Sequence, residues 1–461
     1  MVFSSLLFLF IFLPVFLTVY FILPKNLRNL ILFLASLMFY AWGEPVYVSI
    51  MIFSTVLDYT CGRIIDRFRE HKLIPKLGLG LSLIGNLGML GFFKYADFFI
   101  SNTNALLGTH WDLLRIALPI GISFYTFQTM SYTIDLYRGK IQVQKNIIAF
   151  GAYVAMFPQL IAGPIVTYAT VEKELNHREV TFEDFGLGAM RFIEGLGKKV
   201  LIANNIGLLW DQILNTPINN LSIIGAWLGA ISFGLQLYFD FSGYSDMAIG
   251  LGRMLGFRFP ENFNYPYIAK SVSDFWRRWH MTLTGWFREY VYIPLGGNRV
   301  SKPRFYLNIL IVWFLTGFWH GAGWNFILWG LFFAALMIIE RSFLLKYLEK
   351  LPSFISRFYL LFVVTISWVL FAHDSLEQAI SYLKVMFGIG TNSFINTPSL
   401  YAITNFYVLI IIGIVFATPL MNNLKARLNE WVVFAFYVAT LFLSTAYLVD
   451  ATFNPFLYFR F

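Results

Sequence analysis

The stretch FWHGAGWNFILWG, residues 318–330, places a single histidine, His320, inside a run that otherwise reads as membrane-spanning. Gly321 and Gly323 follow it, and Trp319, Trp324 and Trp329 surround it. The flanks decide how the stretch is read. Residues 277–304 and 341–357 are rich in arginine and lysine, and such clusters stay on the cytoplasmic side of a membrane. With both ends on one side, 305–340 is a hairpin whose turn lies near His320 to Gly323. Residues 305–319 rise only about 22 Å at 1.5 Å per residue, against a hydrocarbon core of roughly 30 Å. The turn therefore falls within the depth of the bilayer. Irregular backbone is tolerated there only where it is packed in protein or lines a wet cavity. This reading puts His320 at the floor of a cavity, with Gly321 and Gly323 allowing the chain to reverse and a ligand to approach.

The rest of the chain has the same solvent. Of 461 residues, 58% are hydrophobic and 13% charged, with 51 Phe, 25 Tyr and 13 Trp. Soluble domains average about 25% charged residues. Apolar runs cover 3–23, 28–43, 46–62, 78–98, 147–168, 221–239, 305–319, 324–339, 354–372, 403–420 and 432–449. A span needs about 20 residues, so several of these runs are tilted, broken or re-entrant. The fold class is all-α, a polytopic membrane protein. The first run has no positive n-region and no small-residue cleavage site, so it reads as a span and not as a removed signal peptide. The basic loop GRIIDRFREHKLIPK (62–76), placed in the cytoplasm, turns the N-terminus outward, and Lys25 and Arg28 agree with that. One cysteine, Cys61, excludes an internal disulfide and a multi-thiolate metal site. No fixed repeat, inverted duplication or Ser/Gly linker is visible, so residues 1–461 are expected to form one membrane domain.

Several constellations are able to carry chemistry. An imidazole with a pKa near 6.5 accepts a hydroxyl proton at neutral pH, so His320 is a candidate general base; the structural reading is a ring bonded to a neighbouring helix carbonyl. In DFWRRWHMTLTGWFREY (274–290), helical spacing gathers Trp276, Trp279, Leu283, Trp286, Phe287 and Tyr290 on one face. Asp274, Arg277, Arg278, Thr284 and Arg288 gather opposite, which reads as an interfacial helix with His280 at the boundary of the two faces. Asp240 and Asp246 stand in a stretch otherwise able to span, where Ser242, Asp246 and Arg253 share a helical face. They line a polar channel or orient a histidine, or else Asp246 pairs with Arg253 in helix packing. Ser242-Gly243 is equally able to break that helix. FPQLIAGPIVTY (157–168) carries Pro158, Gly163 and Pro164 and reads as a kinked or re-entrant scaffold segment with Gln159 as its polar handle. His71, His110, His177 and His373 are taken as solvated, and no spacing supports a metal site.

Three motifs carry a family resemblance: DFSGYSDMAIGLGRMLGFRFPENFNYPY (240–267), SDFWRRWHMTLTGWFREYVYIPLGGNR (273–299) and LTGFWHGAGWNFILWG (315–330). They resemble the membrane-bound O-acyltransferase family, and within it the bacterial alginate O-acetylase branch, with D-alanyl exporters of teichoic acid as near relatives. FPQLIAGPI (157–165) and the closing NPFLYFRF (454–461) fit that branch too. Thr282, Thr284 and Glu289 depart mildly from its usual pattern. The resemblance implies a ring of about eleven transmembrane helices around a central cytoplasmic funnel, with re-entrant and interfacial helices. It implies His320 as catalytic residue and His280 as a second. Asp240, Ser242, Asp246, Arg277, Arg278, Trp319 and Asn325 are the substrate-binding candidates. It further implies acyl-CoA or another acyl thioester as co-substrate and no bound cofactor or metal. The expected partners are an extracytoplasmic acetyltransferase or polysaccharide-synthesis proteins and membrane lipids, in the bacterial cytoplasmic membrane, without nucleic acid. The expected reaction is O-acetylation of an exopolysaccharide such as alginate. D-alanyl transfer to teichoic acid, transfer of a longer acyl chain, and a non-enzymatic transporter or channel are the alternatives.

Overall fold

A computed structural model describes residues 1–390, 393–450 and 457, and among them every regular element is helical. Among the described residues, seven helices are long and apolar enough to cross a bilayer: Val48–Arg67, Ile74–Leu107, Ile223–Met254, Trp324–Leu348, Ser353–Ala372, Thr397–Phe416 and Glu430–Asp450. The remaining apolar runs are short, as the sequence reading requires of several of them. Phe8–Ile22 is one. The run at 147–168 stops at Ala155, resumes as the single turn Phe157–Leu160 and then loses regularity, as Pro158, Gly163 and Pro164 predict. Ser242-Gly243 does not break its helix; Ile223–Met254 runs through it. A Cβ on Gly243 would stand 2.7 Å from the Gly195 carbonyl oxygen, so the glycine serves close packing there. The closing NPFLYFRF lies outside the described residues, apart from Leu457.

The helices group into two compact units. One comprises Met1–Phe192 with Ser245–Pro260, the other Ile193–Tyr244 with Glu261–Phe461.

In the first unit, Phe8, Phe12, Phe16 and Phe39 pack around Phe157 with ring centroids 5.1–6.2 Å apart. The helix Ile122–Tyr137 is buried along almost its whole length, all but Ile134 and Tyr137, although its sequence, ISFYTFQTMSYTIDLY, is half polar. It forms no apolar run and went unseen for that reason. Thr129 and Thr133 join its face to a buried polar network of the neighbouring helices. Ser82 donates to Asp58 at 2.5 Å, Asn86 Nδ2 to the other oxygen of Asp58 at 2.8 Å, and Thr129 and Ser54 both donate to Asn86 Oδ1. Thr133 shares a bond of 2.9 Å with Ser82. Three helices are thereby stitched by one network with its donors and acceptors matched. In the same unit Asp246 pairs with Arg191 at 2.6 Å and Arg253 with Asp184 at 3.2 Å. The expected Asp246–Arg253 pair is not formed. Seven residues along a helix separate the two by roughly 10 Å, and partners on Phe182–Gly197 are nearer.

Replacing Asn86 with Leu removes the partner of one Asp58 oxygen and of the Ser54 hydroxyl and one of the two acceptors of Thr129, and the expected loss is about 1–3 kcal/mol of stability. Denaturation of the detergent-solubilised chain measures it. Thr60→Val, which removes only an exposed hydroxyl bonded to the carbonyl of Val56, leaves the transition where it was.

Candidate active site

The site is built in the second unit, beginning with two helices that touch backbone to backbone. Lys302–His320 and Trp324–Ile339 form the expected hairpin. A Cβ on Gly317 would stand 3.2 Å from the Cα of Gly330, and one on Gly330 would stand 3.1 Å from the Cα of Gly317. No side chain fits between them. The first helix starts at Lys302, three residues before the apolar run, and ends on His320 itself. Its apolar part, from Phe305 to His320, rises roughly 24 Å, still short of a bilayer core of about 30 Å. Gly321 is extended, and a Cβ there would run into the Phe326 ring, so space and not backbone freedom demands the glycine.

His320 is buried in an aromatic wall. Its ring lies 5.0 Å from Trp319, 5.0 Å from Trp329 and 5.4 Å from Phe371, each close to edge-on. Trp319 also faces His280, 6.1 Å away between ring centroids. The indole therefore stands beside both histidines. Asn325, in the first turn after the hairpin, donates from Nδ2 to the carbonyl of His373 at 2.9 Å and so ties this turn to the end of Ser353–Ala372. His373 is not solvated. It is buried, with Nδ1 donating to the Val369 carbonyl at 2.9 Å and the rings of Trp210 and Tyr382 packed on it.

The segment 274–290 differs from the single interfacial helix read from its periodicity. Val272–Phe275 and Met281–Phe287 are separate short helices, and His280 between them takes a left-handed backbone with φ of 43°. Histidine is tolerated in that region more readily than most residues, yet the conformation is strained and clusters at functional sites. The two faces are real, but the tryptophan face packs into protein and not lipid. Trp276 meets Trp313 at 4.7 Å and Phe333 at 5.0 Å, while Trp279 meets Trp368 at 5.0 Å. Arg277 remains exposed and Arg278 pairs with Asp274 at 3.0 Å.

Asn262 holds the strained turn. Its Oδ1 accepts from the backbone N–H of Thr282 at 3.2 Å and from the Thr282 hydroxyl at 2.9 Å, and lies 3.2 Å from His280 Nδ1. Because the Thr282 N–H can only donate, the amide oxygen is fixed as an acceptor, and His280 Nδ1 carries the proton. Nε2 then bears the lone pair. Burial pushes the imidazole of His280 down from its ordinary 6.5 to about 3, so the ring is neutral at physiological pH. Phe241 packs against it at 4.7 Å.

The other predicted residues are distributed as follows. Asp240 is bonded to Lys199 at 2.5 Å and accepts the backbone N–H of Leu457 at 2.8 Å. Ser242 is buried on the same helix, and Asp246 belongs to the first unit. Sequence reasoning missed Asn262, Phe371 and Glu340. The last is a buried carboxylate at the far end of the hairpin's second helix, and it accepts the backbone N–H groups of Val272 at 2.6 Å and Ser273 at 3.0 Å. It thereby caps the short helix leading to His280. An acid closing an otherwise apolar stretch, LFFAALMIIE, is the signal that was available.

Comparison with known proteins gives a consistent picture. The model of the membrane-bound O-acyltransferase family matches residues 141–376. A probable alginate O-acetylase of Azotobacter vinelandii is 40% identical over 93% of this chain and 89% of its own length. A peptidoglycan O-acetyltransferase of Helicobacter pylori is 38% identical over 84% of this chain and 80% of its own. A teichoic acid D-alanyltransferase of Bacillus subtilis is 31% identical over 49% of this chain and 59% of its own.

The neutral state of His280 makes folding pH-dependent in a definite direction. The unfolded chain takes up a proton near pH 6.5 and the folded one only near 3, so this contribution to stability is fully present above pH 6.5 and lost progressively as pH falls toward 3. Thermal unfolding followed from pH 7.5 to 5 therefore shows a falling midpoint, and His280→Gln flattens that slope.

Proposed function

This chain belongs to the membrane-bound O-acyltransferase family and is a multi-pass membrane enzyme that transfers acyl groups, and on that footing we propose that it moves acetyl from a cytoplasmic thioester to a hydroxyl of an extracytoplasmic polysaccharide, alginate first among those to be tried. The observation that carries the proposal is the seat of His320, at a hairpin turn short of the full bilayer depth and walled by Trp319, Trp329 and Phe371. In this reading the thioester reaches His320 from one side of the membrane and the alcohol from the other. Acetyl, in preference to D-alanyl, is favoured by likeness over most of the chain to two O-acetyltransferases, against half of it for the D-alanyltransferase.

The chemistry follows from the residues. The imidazole of His320 takes the proton of the acceptor hydroxyl as its oxygen attacks the thioester carbonyl carbon. The tetrahedral adduct collapses with cleavage of the carbon–sulfur bond. The thiolate leaves and recovers the proton from His320, so one ester and one thiol replace one thioester and one alcohol. His280, neutral and with its proton committed to Asn262, is suited to accept a hydrogen bond from a donor amide or hydroxyl and not to give one to an oxyanion. Trp319 sits where it orients substrate between the two rings, and Asn325 holds the turn in place. Arg277, the more exposed of the two arginines, steers an anionic donor. Asp240, engaged by Lys199 and Leu457, supports the wall of the site.

The 461 residues act as one catalytic domain in this proposal, since the family match crosses both compact units. The donor enters from the cytoplasm through a funnel, as acyl-CoA or a carrier-bound thioester, without a resident cofactor or metal. Where an extracytoplasmic acetyltransferase takes part, its hydroxyl replaces the sugar's as acceptor and it passes the acetyl group on to the polymer. The basic loops support an outward N-terminus, and likeness to bacterial relatives supports the bacterial cytoplasmic membrane as its place.

Membranes carrying His320→Ala, incubated with labelled acetyl thioester and polysaccharide, are expected to lose about 10²–10⁴-fold in transfer rate, the range a general base supplies. A wild-type rate removes the assignment. Solute flux without any acyl transfer in the wild-type protein establishes the transporter alternative.

A further inference from the structure

Within the second unit, a cavity of about 700 Å³ lies between Ile223–Met254, Ser353–Ala372 and the end of Thr397–Phe416. Its lining is almost wholly apolar. Three features limit what fills it. The rim residues Ile231, Phe358, Leu361 and Ile414 are exposed and apolar, so the opening faces hydrocarbon and not water. One cation, Arg357, lines the cavity at the basic end of Ser353–Ala372, its Nε donating to the Ile268 carbonyl at 3.3 Å. From Arg357 to Trp368, which lines the inner end, eleven residues of helix rise roughly 16 Å, about half the hydrocarbon thickness of a bilayer and so the depth of one leaflet.

We propose that this cavity is a binding site for an anionic glycerophospholipid of the leaflet facing that basic end, with its phosphodiester on Arg357 and one acyl chain laid along Ser353–Ala372 as far as Trp368. A polar, hydrated thioester donor does not suit such a lining, because each of its amides and phosphates would be desolvated without a partner. A chain seated there packs against Trp368, which in turn lies 6.0 Å from Phe371 and 5.0 Å from Trp279, residues beside the two histidines. The lipid is a structural ligand behind the aromatic wall, and its binding does not depend on which acyl group the enzyme transfers.

The test uses the full chain, delipidated in detergent and titrated with phosphatidylglycerol or phosphatidylcholine of identical acyl chains, bound lipid being counted by native mass spectrometry. The wild-type protein is expected to hold one phosphatidylglycerol with about ten-fold preference over phosphatidylcholine, as a charge-assisted contact supplies. Arg357→Gln abolishes the preference while the apolar seat still takes either lipid weakly. Leu361→Trp, at the exposed rim, blocks both. Equal retention of the two lipids by the wild-type protein, or a preference untouched by Arg357→Gln, overturns the proposal whether or not Leu361→Trp folds. So does a lipid-free dimer, which would show that a second copy covers this face.

Discussion

Two glycines decide where His320 goes. Because an added side chain on Gly317 or Gly330 would meet the facing backbone, the helices Lys302–His320 and Trp324–Ile339 pack backbone against backbone there. Everything placed at the tip of the hairpin is anchored by that contact. Trp329 is folded back onto His320, and Phe371 from a third helix closes the wall. The proposed role of His320 as a base requires its ring to be held within a fraction of an ångström of its partner. Here the positioning comes from packed backbone rather than from a flexible loop.

The second histidine is held by a different device. Asn262 gathers one backbone and two side-chain groups of the turn 280–282 on a single oxygen, and Glu340 caps the helix just before that turn with both of its own. The carboxylate meets the positive end of a helix, a favourable arrangement in a medium of low polarity. Glu340 also belongs to the helix that begins at the hairpin, so the two histidine motifs, distant in sequence, share one structural member. The strain stored at His280 is sustained by these bonds.

The hairpin was legible because charge clusters on both flanks and a too-short apolar run admit few geometries, and Gly321 and Gly323 marked the turn. The break at 156–163 was legible from Pro158, Gly163 and Pro164. What the sequence hid falls into two kinds. Periodicity gave the two faces of 274–290 correctly but not the break at His280, since a left-handed residue leaves no trace in hydrophobic spacing. Burial of His373 depended on rings contributed by Trp210 and Tyr382, remote in the chain, and the partner of Asp246 proved to be Arg191 rather than the arginine on its own helix face. Long-range partners are set by packing, and local pattern carries no record of them.

The buried polar helix Ile122–Tyr137 has a consequence for how the protein is made. Its hydroxyls, amides and carboxylate are too numerous for it to dissolve in lipid unaided. The helices that bond Thr129 and Thr133 and pack against it, Val48–Arg67 and Ile74–Leu107, precede it in the chain and are apolar enough to cross a bilayer. Biosynthesis therefore delivers the hosts before the guest. When residues 122–137 leave the ribosome, Asp58, Ser82 and Asn86 already stand in the bilayer as a template, and the order of the genetic message doubles as an assembly schedule.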